Sequence, residues 1–376
     1  MRDLLEIRDE IDEIDNQIVD LYEQRVKLVS DVAEYKINTG KKVFDKEREK
    51  AKLDAISQKA GSPFTRLGII ELFEQIMSNS RKKQYQLLTE HGIVEKIDFE
   101  TVDELDFEGA RIVFQGVEGA YSQQAMRAFF GSSCDEYNVE TFKDAMEEIR
   151  NGNADYAVLP LENSSAGIVP ENYDLLVEYD NTIVGEQILK IEHALLTLQE
   201  AKLSDITHVY SHPQALMQCS AFFDEHKDCE KISVKNTAMA AKKVKEDGLC
   251  SQAAVASAVT ADIYGLKVMQ EAIQNNKNNS TRFIIVTGKK ISVKKNNKIS
   301  VCFESPHQSG SLYHMLSHFI YNGINMTNIQ SRPIPGKDWN YRFFVDFEGR
   351  LNDTAVLNAL RGLKDESSFF KILGTY

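Results

Sequence analysis

The sequence has few cysteines, no excess of basic residues and no long apolar run, and each absence excludes a class of protein. Its five cysteines are odd in number, irregularly spaced and without a C-x-x-C pair, so we expect neither a disulfide framework nor a zinc site. A formal net charge of −13 argues against general affinity for nucleic acid or anionic membranes, because both require a basic surface. No apolar stretch has the length of a membrane span, and we do not expect the charged N-terminus MRDLLEIRDEID to be a signal peptide.

These absences predict a cytoplasmic protein in a reducing compartment, with no metal, no other cofactor, no nucleic-acid partner and no membrane contact. The length of 376 residues favours two or three domains. Local composition and hydrophobic pattern divide the chain into an all-helical segment (1–90), an acidic linker (91–108), a segment that alternates strand and helix (109–288), a basic connector (289–298) and a C-terminal α+β segment (299–376). An anionic ligand would have to be held by local clusters of arginine and lysine.

The residue pattern of the all-helical segment predicts three helices. The first runs from about Leu4 to Asn38. Apolar residues recur along it at steps of four and three, a period typical of a packed helical seam: Ile7, Ile11, Ile14, Ile18, Leu21, Leu28, Val32 and Tyr35. Arg25 occupies one position of this series, and a cation in an apolar seam is costly unless it meets an anion there. On the third helix, Ser80 and Gln84 interrupt an apolar stripe and share one face. Such an arginine commonly reaches solvent instead, but three polar interruptions in one small domain favour an anion site.

Three helices of this length cannot cover their own apolar stripes, so we expect residues 1–90 to form an intertwined dimer. Arg8 and Lys36 lie near the two ends of the first helix, roughly 42 Å apart at 1.5 Å per residue, too far to share a ligand within one chain. A second chain that crosses the first could bring its own Arg8 to the site. Asp45, Arg48 and Glu49 gather at the start of the second helix.

The order LEIRDEI, EQR, EYK, DKERE and SNSRKKQ, over about residues 4–88, resembles the all-helical chorismate mutases. The resemblance implies a site formed by Arg8 of the partner chain, Arg25, Lys36, Asp45, Arg48, Glu49, Ser80 and Gln84. Rearrangement of chorismate to prephenate is pericyclic, so the site must hold a compact conformer and stabilise charge at the ether oxygen. Arginines would clamp the two carboxylates, and Lys36 and Gln84 would donate to the ether oxygen. A Glu49 that faces this oxygen would have to be protonated or act through solvent.

Residues 109–288 alternate strand and helix, which indicates α/β architecture with a mostly parallel sheet, in two lobes around a cleft. Helices are expected at 141–151, 213–226, 237–246 and 252–263, and strand-like runs include ARIVFQG, DYAVLPLEN, NTIVGEQI, THVYSH, KISVKN and TRFIIVTG. Polar loops lie at strand ends, where ligands collect in open α/β sheets: GVEGAYSQQA, PLENSSAG, SHPQALMQC and NNSTRFIIV. The first loop lacks the lysine–serine pair of a phosphate-binding loop and the full G-x-G-x-x-G. We therefore expect neither nucleotide binding nor a dinucleotide-dependent dehydrogenase.

These four strings, in this order from about Arg111 to Gly288, resemble prephenate dehydratases. The resemblance implies two periplasmic-binding-protein-like lobes with the substrate between them, and site residues Tyr121, Ser122, Glu162, Asn163, Ser164, Ser211, Gln218, Thr281, Arg282 and Phe283. Thr281 would donate a proton or hydrogen bond to the departing hydroxyl of prephenate, with positioning contributing more than acid strength. Arg282 would anchor a carboxylate. His212, next to Ser211, is the alternative acid–base group, because histidine titrates near neutral pH.

From about Ile299 the order strand, helix, strand, strand, helix, strand predicts a ferredoxin-like α+β fold. The segments SGSLYHML and NIQSRP resemble the motifs of ACT regulatory domains, with Gln330 in place of the family's glutamate. The resemblance implies that phenylalanine binds between paired domains, at Gly310, Ser311, Leu312, Asn325, Gln330, Ser331, Arg332 and Pro333. The amide of Gln330 keeps an acceptor oxygen but loses the charge, which puts effector affinity in question. A βαββαβ unit that only dimerises is the alternative.

Together the resemblances predict a multidomain, bifunctional enzyme of phenylalanine biosynthesis. It would convert chorismate through prephenate to phenylpyruvate under feedback inhibition by phenylalanine, as a homodimer or homotetramer. Two alternatives stay open. A prephenate dehydratase whose helices are only a dimerisation stalk would not consume chorismate, and a non-enzymatic amino-acid-sensing protein would bind ligand without releasing carbon dioxide.

Overall fold

The computed structural model describes residues 2–93, 97–131 and 134–376. The chain forms two compact units, Met1–Ile97 with Val301–Ile372, and Asp98–Ser300 with Leu373–Tyr376. The N-terminal helices and most of the C-terminal segment therefore belong to one unit. Residues 94–96 of the predicted linker lie outside the described residues. No helix of the described residues is both long and apolar enough to cross a membrane.

The three predicted helices of the first unit are confirmed as α1 (Leu4–Thr39), α2 (Lys46–Ser57) and α3 (Pro63–Glu90). The side chains of Asp3, Asp45 and Ser62 accept hydrogen bonds from backbone N–H groups at the start of α1, α2 and α3, respectively. Gly40 ends α1 at a φ of 67°, a conformation that glycine adopts without steric cost. α1 and α2 both pack on α3.

The second unit begins with a short strand inside the predicted linker, β1 (Glu100–Val102). It pairs in parallel with β13 (Ile291–Val293), which lies inside the predicted connector. The composition of the two segments predicted only a linker and a connector, but each segment contains a short strand. Each strand has only three residues, which is too few to show a periodic pattern in the sequence. The pairing of the two strands in the structure is what identifies them.

Two further sheets make up the rest of the second unit. The first has the strand order β6-β12-β4-β2-β3, with β2 (Arg111–Gln115), β3 (Asp135–Val139), β4 (Tyr156–Asn163), β6 (Thr182–Lys190) and β12 (Ser280–Thr287), and β5 (Gly167–Ile168) pairs with β4. The second has the order β11-β7-β10-β8-β9, with β7 (Ala194–Thr197), β8 (His208–Ser211), β9 (Glu230–Ser233), β10 (Gln252–Ala256) and β11 (Lys267–Gln270). Each sheet has its own buried apolar core, which confirms two lobes.

Within the part of the chain that the structure describes, seven α-helices accompany these sheets: α4 (Tyr121–Phe130), α5 (Phe142–Arg150), α6 (Pro170–Glu178), α7 (Pro213–Gln218), α8 (Ser220–Glu225), α9 (Thr237–Asp247) and α10 (Ala258–Tyr264). The prediction of a helix over 252–263 is wrong in its first half, because β10 is a central strand buried along its whole length. A short run of small apolar residues fits a buried strand as well as a helix, and periodicity alone does not separate them. The helix expected at 213–226 is divided into two at Cys219.

The prediction of a mostly parallel sheet is also wrong, because both sheets are mixed. β2 is parallel to β3 and β4, and β8 is parallel to β9 and β10. In contrast, β12 is antiparallel to β4 and β6, and β7 is antiparallel to β10 and β11. The chain passes from one lobe to the other between β6 and β7 and returns between β11 and β12, without an intervening helix. The parallel pattern expected from alternating strands and helices therefore breaks at these crossings.

The C-terminal part has the predicted order of elements: β14 (Lys298–Glu304), α11 (Ser311–Tyr321), β15 (Met326–Pro333), β16 (Tyr341–Glu348), α12 (Thr354–Glu366) and β17 (Phe369–Thr375). Its strands lie in the order β15-β16-β14-β17, so β15 is an edge strand. In the first unit, α11 and α12 pack against each other and against α3. This packing brings charged groups of the C-terminal segment to the helix that carries Ser80 and Gln84.

Candidate active sites

A cavity of about 990 Å³ lies among α1, α2, α3 and the loop between the first two helices. Its lining contains eight basic side chains, Arg25, Lys36, Lys41, Lys42, Lys46, Arg48, Lys52 and Arg81, against four carboxylates, Asp31, Asp45, Glu47 and Glu49. The cavity is therefore locally cationic in a chain whose formal net charge is −13. Such a concave cationic site suits a small anionic ligand.

The polar interruptions of the apolar stripes meet at this cavity. A guanidinium N–H of Arg25 donates to Ser80 Oγ, and Ser80 Oγ also lies 2.7 Å from the carbonyl oxygen of Ile76. Burial lowers the pKa of Arg25, and the nearby Glu49 opposes that change. Gln84 donates from Nε2 to the carbonyl oxygen of Ser80 at 3.0 Å, which leaves its second N–H for a ligand.

Lys36 projects from the last turns of α1 toward the loop that precedes α2. Its ammonium donates to the carbonyl oxygen of Val43 at 2.7 Å. Burial and the positive charge of Arg48 lower the pKa of Lys36, while Glu49 and Asp45 act in the opposite direction. Asp45 caps α2 by accepting from the backbone N–H of Arg48 at 3.1 Å. The loop and the start of α2 therefore place these charges around one cavity.

The structure brings most of the predicted mutase residues together at this cavity: Arg25, Lys36, Asp45, Arg48, Glu49, Ser80 and Gln84. Arg8 is exposed and lies 17 positions before Arg25 in the same helix, roughly 26 Å away. Arg8 therefore does not reach the cavity of its own chain, as the spacing predicts.

Sequence reasoning did not identify Arg81, which is only 7% exposed and lines the same cavity. Its guanidinium binds Glu49 from α2 and Glu366 from α12, and its Cζ lies 4.9 Å from the centre of the Phe44 ring. Arg81 stands four residues after Met77 and four before Tyr85, both buried. The rule that selected Arg25, a cation in an apolar stripe, would also have selected Arg81.

In the second unit a hydrogen-bond network joins the PLENSSAG loop to the start of β12. Asn163 Nδ2 donates to Thr281 Oγ1 at 2.9 Å and to Asn279 Oδ1 at 2.8 Å. Asn163 Oδ1 accepts from the backbone N–H groups of Ser165 and Ala166. The β4–β12 pairing sets Thr281 opposite Asn163. Thr281 is thus oriented by an amide that the loop itself holds in place.

The network continues into the second lobe through Gln218, at the end of α7. Asn279 Nδ2 donates to Gln218 Oε1 at 3.2 Å, and that oxygen lies 3.0 Å from Nε2 of His193. The Tyr121 hydroxyl lies 3.0 Å from Nδ1 of His193. Burial lowers the pKa of His193, so the buried ring favours its neutral form. Sequence reasoning missed His193, although an isolated histidine between two apolar strands was the available signal.

A cavity of about 380 Å³ adjoins this network, with a lining that is mainly amide side chains: Gln214, Gln218, Gln274, Asn275, Asn276 and Asn279, together with Ser165, Ala166 and Met217. Gln218 and Asn279 belong to both the cavity and the network. Asn163 is thus one hydrogen bond from a residue that lines a polar hollow, and Thr281 is connected to the hollow through Asn163.

Arg282 lies outside this network, contrary to the role of an anchor beside Thr281. Consecutive strand residues face opposite sides of a sheet, and Arg282 contacts Glu186 at 3.1 Å and the Tyr376 hydroxyl at 2.7 Å. Phe283 returns to the side of Thr281 but is a core residue of the first lobe, 2% exposed.

The other predicted dehydratase residues occupy strand and helix ends. Ser211 is buried at the end of β8 and donates to the carbonyl oxygen of Val255 at 2.6 Å. Ser164 accepts from the backbone N–H of Ser280 at 3.0 Å, and Ser122 is buried in the first turn of α4. Glu162 is half-buried on β4. His212 caps α7, and burial lowers its pKa.

The predicted effector residues divide between two places in the C-terminal segment. Gly310 precedes α11 with a φ of 77°, and Ser311 and Leu312 line a cavity of about 130 Å³. Gln330, Ser331, Arg332 and Pro333 lie on the edge strand β15, and Asn325 is exposed just before it. Among the described residues, the second group is not part of the lining of this 130 Å³ cavity.

Comparison with known proteins identifies the family. Residues 7–85 match the family described as chorismate mutase type II, and residues 112–291 match prephenate dehydratase. The bifunctional chorismate mutase/prephenate dehydratase of Aquifex aeolicus (strain VF5) is 30% identical, over 100% of this chain and 98% of its own. That of Buchnera aphidicola subsp. Schizaphis graminum is 33% identical, over 100% and 96%.

A solved structure supports the assignment of the second catalytic activity. The prephenate dehydratase of Arthrobacter aurescens, in complex with L-Phe, matches with a TM-score of 0.66 and 29% identity, over 71% of this chain and 89% of that chain. The described fold, the matched families and the full-length relatives agree. The chain belongs to the bifunctional chorismate mutase/prephenate dehydratase family.

Proposed function

We propose that the cationic cavity among α1, α2 and α3 is the chorismate mutase site. The observation that carries this proposal is the convergence of Arg25, Lys36, Arg48, Ser80 and Gln84 on one hollow of about 990 Å³. Family membership already makes the chain an enzyme with both activities, so the non-enzymatic sensor is wrong. The match of residues 7–85 to a mutase family likewise argues against a mere stalk.

The reaction requires the substrate to be held in one conformation and does not require a nucleophile, because the bonds rearrange within one molecule. Arg25 and Arg48 would clamp carboxylates through paired N–H donors, and clamping favours the compact reactive conformer. Lys36 and the free N–H of Gln84 would donate to the ether oxygen, where negative charge develops as the bond breaks. Donors already fixed by Val43 and Ser80 need little reorganisation.

Gln84 offers a matched test of the cavity. We expect Gln84→Ala to lower mutase kcat by about 10²-fold, the size of one preorganised donor to a developing oxyanion. Gln86→Ala removes the same amide two positions away on α3, outside the cavity lining, and should leave kcat unchanged. Equal effects of the two substitutions would reject the cavity as the mutase site.

We propose that prephenate dehydration takes place at the Asn163–Thr281 network. Thr281 Oγ1 accepts a hydrogen bond from Asn163, so its own O–H is available to donate to the ring hydroxyl of prephenate. The leaving hydroxyl departs with this proton or hydrogen bond as carbon dioxide leaves from the opposite end of the ring, and aromatisation drives both losses. Because threonine is a weak acid, the fixed geometry would contribute more than proton donation.

Thr281 also has a matched control on its own strand. Thr281→Ala should lower dehydratase kcat by about 10²-fold or more, as expected for a lost acid or hydrogen-bond donor. Thr281→Ser keeps the hydroxyl and should retain most of the rate. Thr287→Ala removes the same groups at the other end of β12. If Thr281→Ala and Thr287→Ala have the same rate, the assignment of Thr281 is wrong.

The exposed face of α1 supports a homodimer as the active form. Ile11, Ile14, Ile18, Leu21 and Leu28 are each at least 50% exposed in the single chain, and a long apolar helix face in water favours association with a second copy. We infer that the second copy supplies Arg8 to the cavity. Co-expression of Arg8→Ala and Arg25→Ala chains should restore mutase activity that neither variant has alone, because each mixed dimer keeps one complete site. Absence of any recovery would contradict a shared site.

We propose that the C-terminal segment is an ACT domain through which phenylalanine inhibits the enzyme. The L-Phe bound to the related dehydratase, the βαββαβ order and the exposed edge strand β15 support this proposal. Gln330→Glu restores the charge that the family motif carries and should strengthen inhibition of the dehydratase. Thr327→Glu adds the same charge on the opposite face of β15 and serves as control. Insensitivity of the unaltered enzyme to phenylalanine would reject the proposal.

A further inference from the structure

A buried ion-pair chain connects the mutase cavity to the C-terminal segment within the first unit. Arg81 Nε and Nη2 donate to the two carboxylate oxygens of Glu366 at 2.7 and 3.0 Å, while its Nη1 donates to Glu49. Glu49 comes from α2, Arg81 from α3 and Glu366 from the last residue of α12. Three helices thus meet at one guanidinium, whose fork geometry suits two carboxylates.

Charge and burial indicate what Arg81 does in the cavity. Two carboxylates already neutralise its single charge, and the Phe44 ring lies 4.9 Å from its Cζ. An arginine whose guanidinium already contacts two carboxylates and an aromatic ring is poorly placed to bind a substrate carboxylate as well. It is well placed to fix Glu49, which faces the cavity and has Arg81 as its ion-pair partner.

Glu366 is itself held firmly, although it does not line the cavity. Its side chain is only 7% exposed, and Nε2 of the fully buried His318 lies 3.1 Å from one carboxylate oxygen. Burial alone would raise the pKa of Glu366, but His318 and Arg81 together hold it below the ordinary value. Arg81 is therefore anchored from the C-terminal side by a fixed anion.

We propose that Arg81 is a positioning residue for the mutase reaction, and that Glu366 of the C-terminal segment sets its orientation and, through it, that of Glu49. This inference rests on the proposed mutase cavity. It makes mutase turnover depend on a side chain of α12 that touches neither substrate nor cavity. The contact supplies a physical route by which a change in the C-terminal segment reaches the mutase site.

The test compares substitutions in the full-length chain, with chorismate as the varied substrate. Glu366→Gln keeps the shape of the side chain and removes its charge. We expect it to lower mutase kcat about tenfold, the size of one charge-assisted contact, with KM changed by less than about twofold. Arg81→Gln should have at least this effect, and Arg81→Lys should recover part of the loss. The double variant should be no slower than Arg81→Gln alone, because both substitutions break the same connection.

Tyr85→Phe is the matched control, because it removes a different bond between the same two helices. The Tyr85 hydroxyl donates to Asp365 at 3.0 Å, a bond that involves neither Arg81 nor Glu366. A role that is merely structural, holding α3 against α12, would make Tyr85→Phe as damaging to kcat as Glu366→Gln. Equal loss in the two variants overturns the proposal, and so does a Glu366→Gln kcat within about twofold of the unaltered enzyme.

Two further readouts keep the outcomes distinct. A large rise in KM with kcat unchanged in Arg81→Gln would make Arg81 a direct substrate ligand and would overturn the positioning role. If circular dichroism shows that Arg81→Gln does not fold, Glu366→Gln and Arg81→Lys decide the question. Normal turnover in Arg25→Ala would reject the mutase cavity itself, whereas loss in Arg25→Ala with normal Glu366→Gln rejects only the present inference.

Discussion

Arg25→Ala is a substitution from which we expect a large loss of mutase activity. The guanidinium is half-buried at the cavity wall, where it donates to Ser80, and burial lowers its pKa because the loss of hydration disfavours the charged form. A unit charge about 4 Å from a carboxylate contributes about 4 kcal/mol at an effective dielectric constant of about 20. The other cations of the cavity would compensate part of this loss. We therefore expect about 3 kcal/mol of lost transition-state stabilisation, which lowers kcat/KM by about 10²-fold.

The assay follows the disappearance of chorismate, with dehydration of added prephenate as the internal control. Arg25→Lys keeps the charge but not the paired donors, so its loss should be smaller, about tenfold. Ser80→Ala removes only the hydroxyl that orients Arg25 and should cost about fivefold. The dehydratase rate should not change in any of the three, since Thr281 lies in the other compact unit. A kcat/KM of Arg25→Ala within about threefold of the unaltered enzyme would refute the reasoning.

Two further predictions concern lysines whose pKa is lowered. Burial and Arg48 lower the pKa of Lys36, so mutase kcat/KM should fall at high pH as Lys36 loses its proton, and Lys36→Arg, which stays protonated, should abolish this alkaline limb. A limb that persists in Lys36→Arg would contradict the role of the Lys36 charge. Burial lowers the pKa of Lys82 to about 8 in the folded chain, below the ordinary lysine value of 10.5. The unfolded chain therefore binds the Lys82 proton more tightly than the folded chain does. The free energy of unfolding should then rise with pH between about 8 and 10.5. Lys82→Met should stabilise the chain by about 1–3 kcal/mol at pH 7 and remove this rise, measured by urea unfolding at several pH values; a less stable variant would show that the bond from Lys82 to Ser317 outweighs the cost of burying the charge.

The proposed mutase site could be predicted from local sequence because its residues interrupt regular apolar stripes. Arg25, Ser80 and Gln84 stand at positions where helix periodicity requires an apolar side chain, and the helices carry them to one cavity. Arg81 obeys the same rule, but its meaning depends on Glu366, 285 positions away. A pairing over such a distance depends on tertiary packing, which periodicity does not contain.

For the proposed dehydratase site, sequence motifs identified residues but not the side of the sheet on which each side chain lies. The motif strings contain Asn163, Gln218 and Thr281, which lie near strand and helix ends and share one hydrogen-bond network. The same strings also contain Arg282, which strand alternation turns to the other side of the sheet. His193 belongs to the network through burial and two contacts, and its position between two apolar strands in the sequence does not indicate those two partners.

The sequence predicted the type of the long elements well, but it did not predict the type of the short ones reliably. The 36-residue α1 carries a repeated seam, which leaves little ambiguity about its type. The five residues of β10 contain three alanines and one valine, and only their burial in the centre of a sheet makes them a strand. The mixed direction of the strands depends on where the chain crosses between lobes, which no local pattern records.

The central claim is that the chain has two separate active sites that act in sequence, and mixing two variants tests it most directly. Arg25→Ala and Thr281→Ala are each incubated with chorismate, alone and together, and the formation of phenylpyruvate is measured. We expect no appreciable phenylpyruvate from either variant alone, accumulation of prephenate with Thr281→Ala, and restored phenylpyruvate formation in the mixture. A mixture that stays inactive, or a single variant that loses both activities while folded, would contradict it.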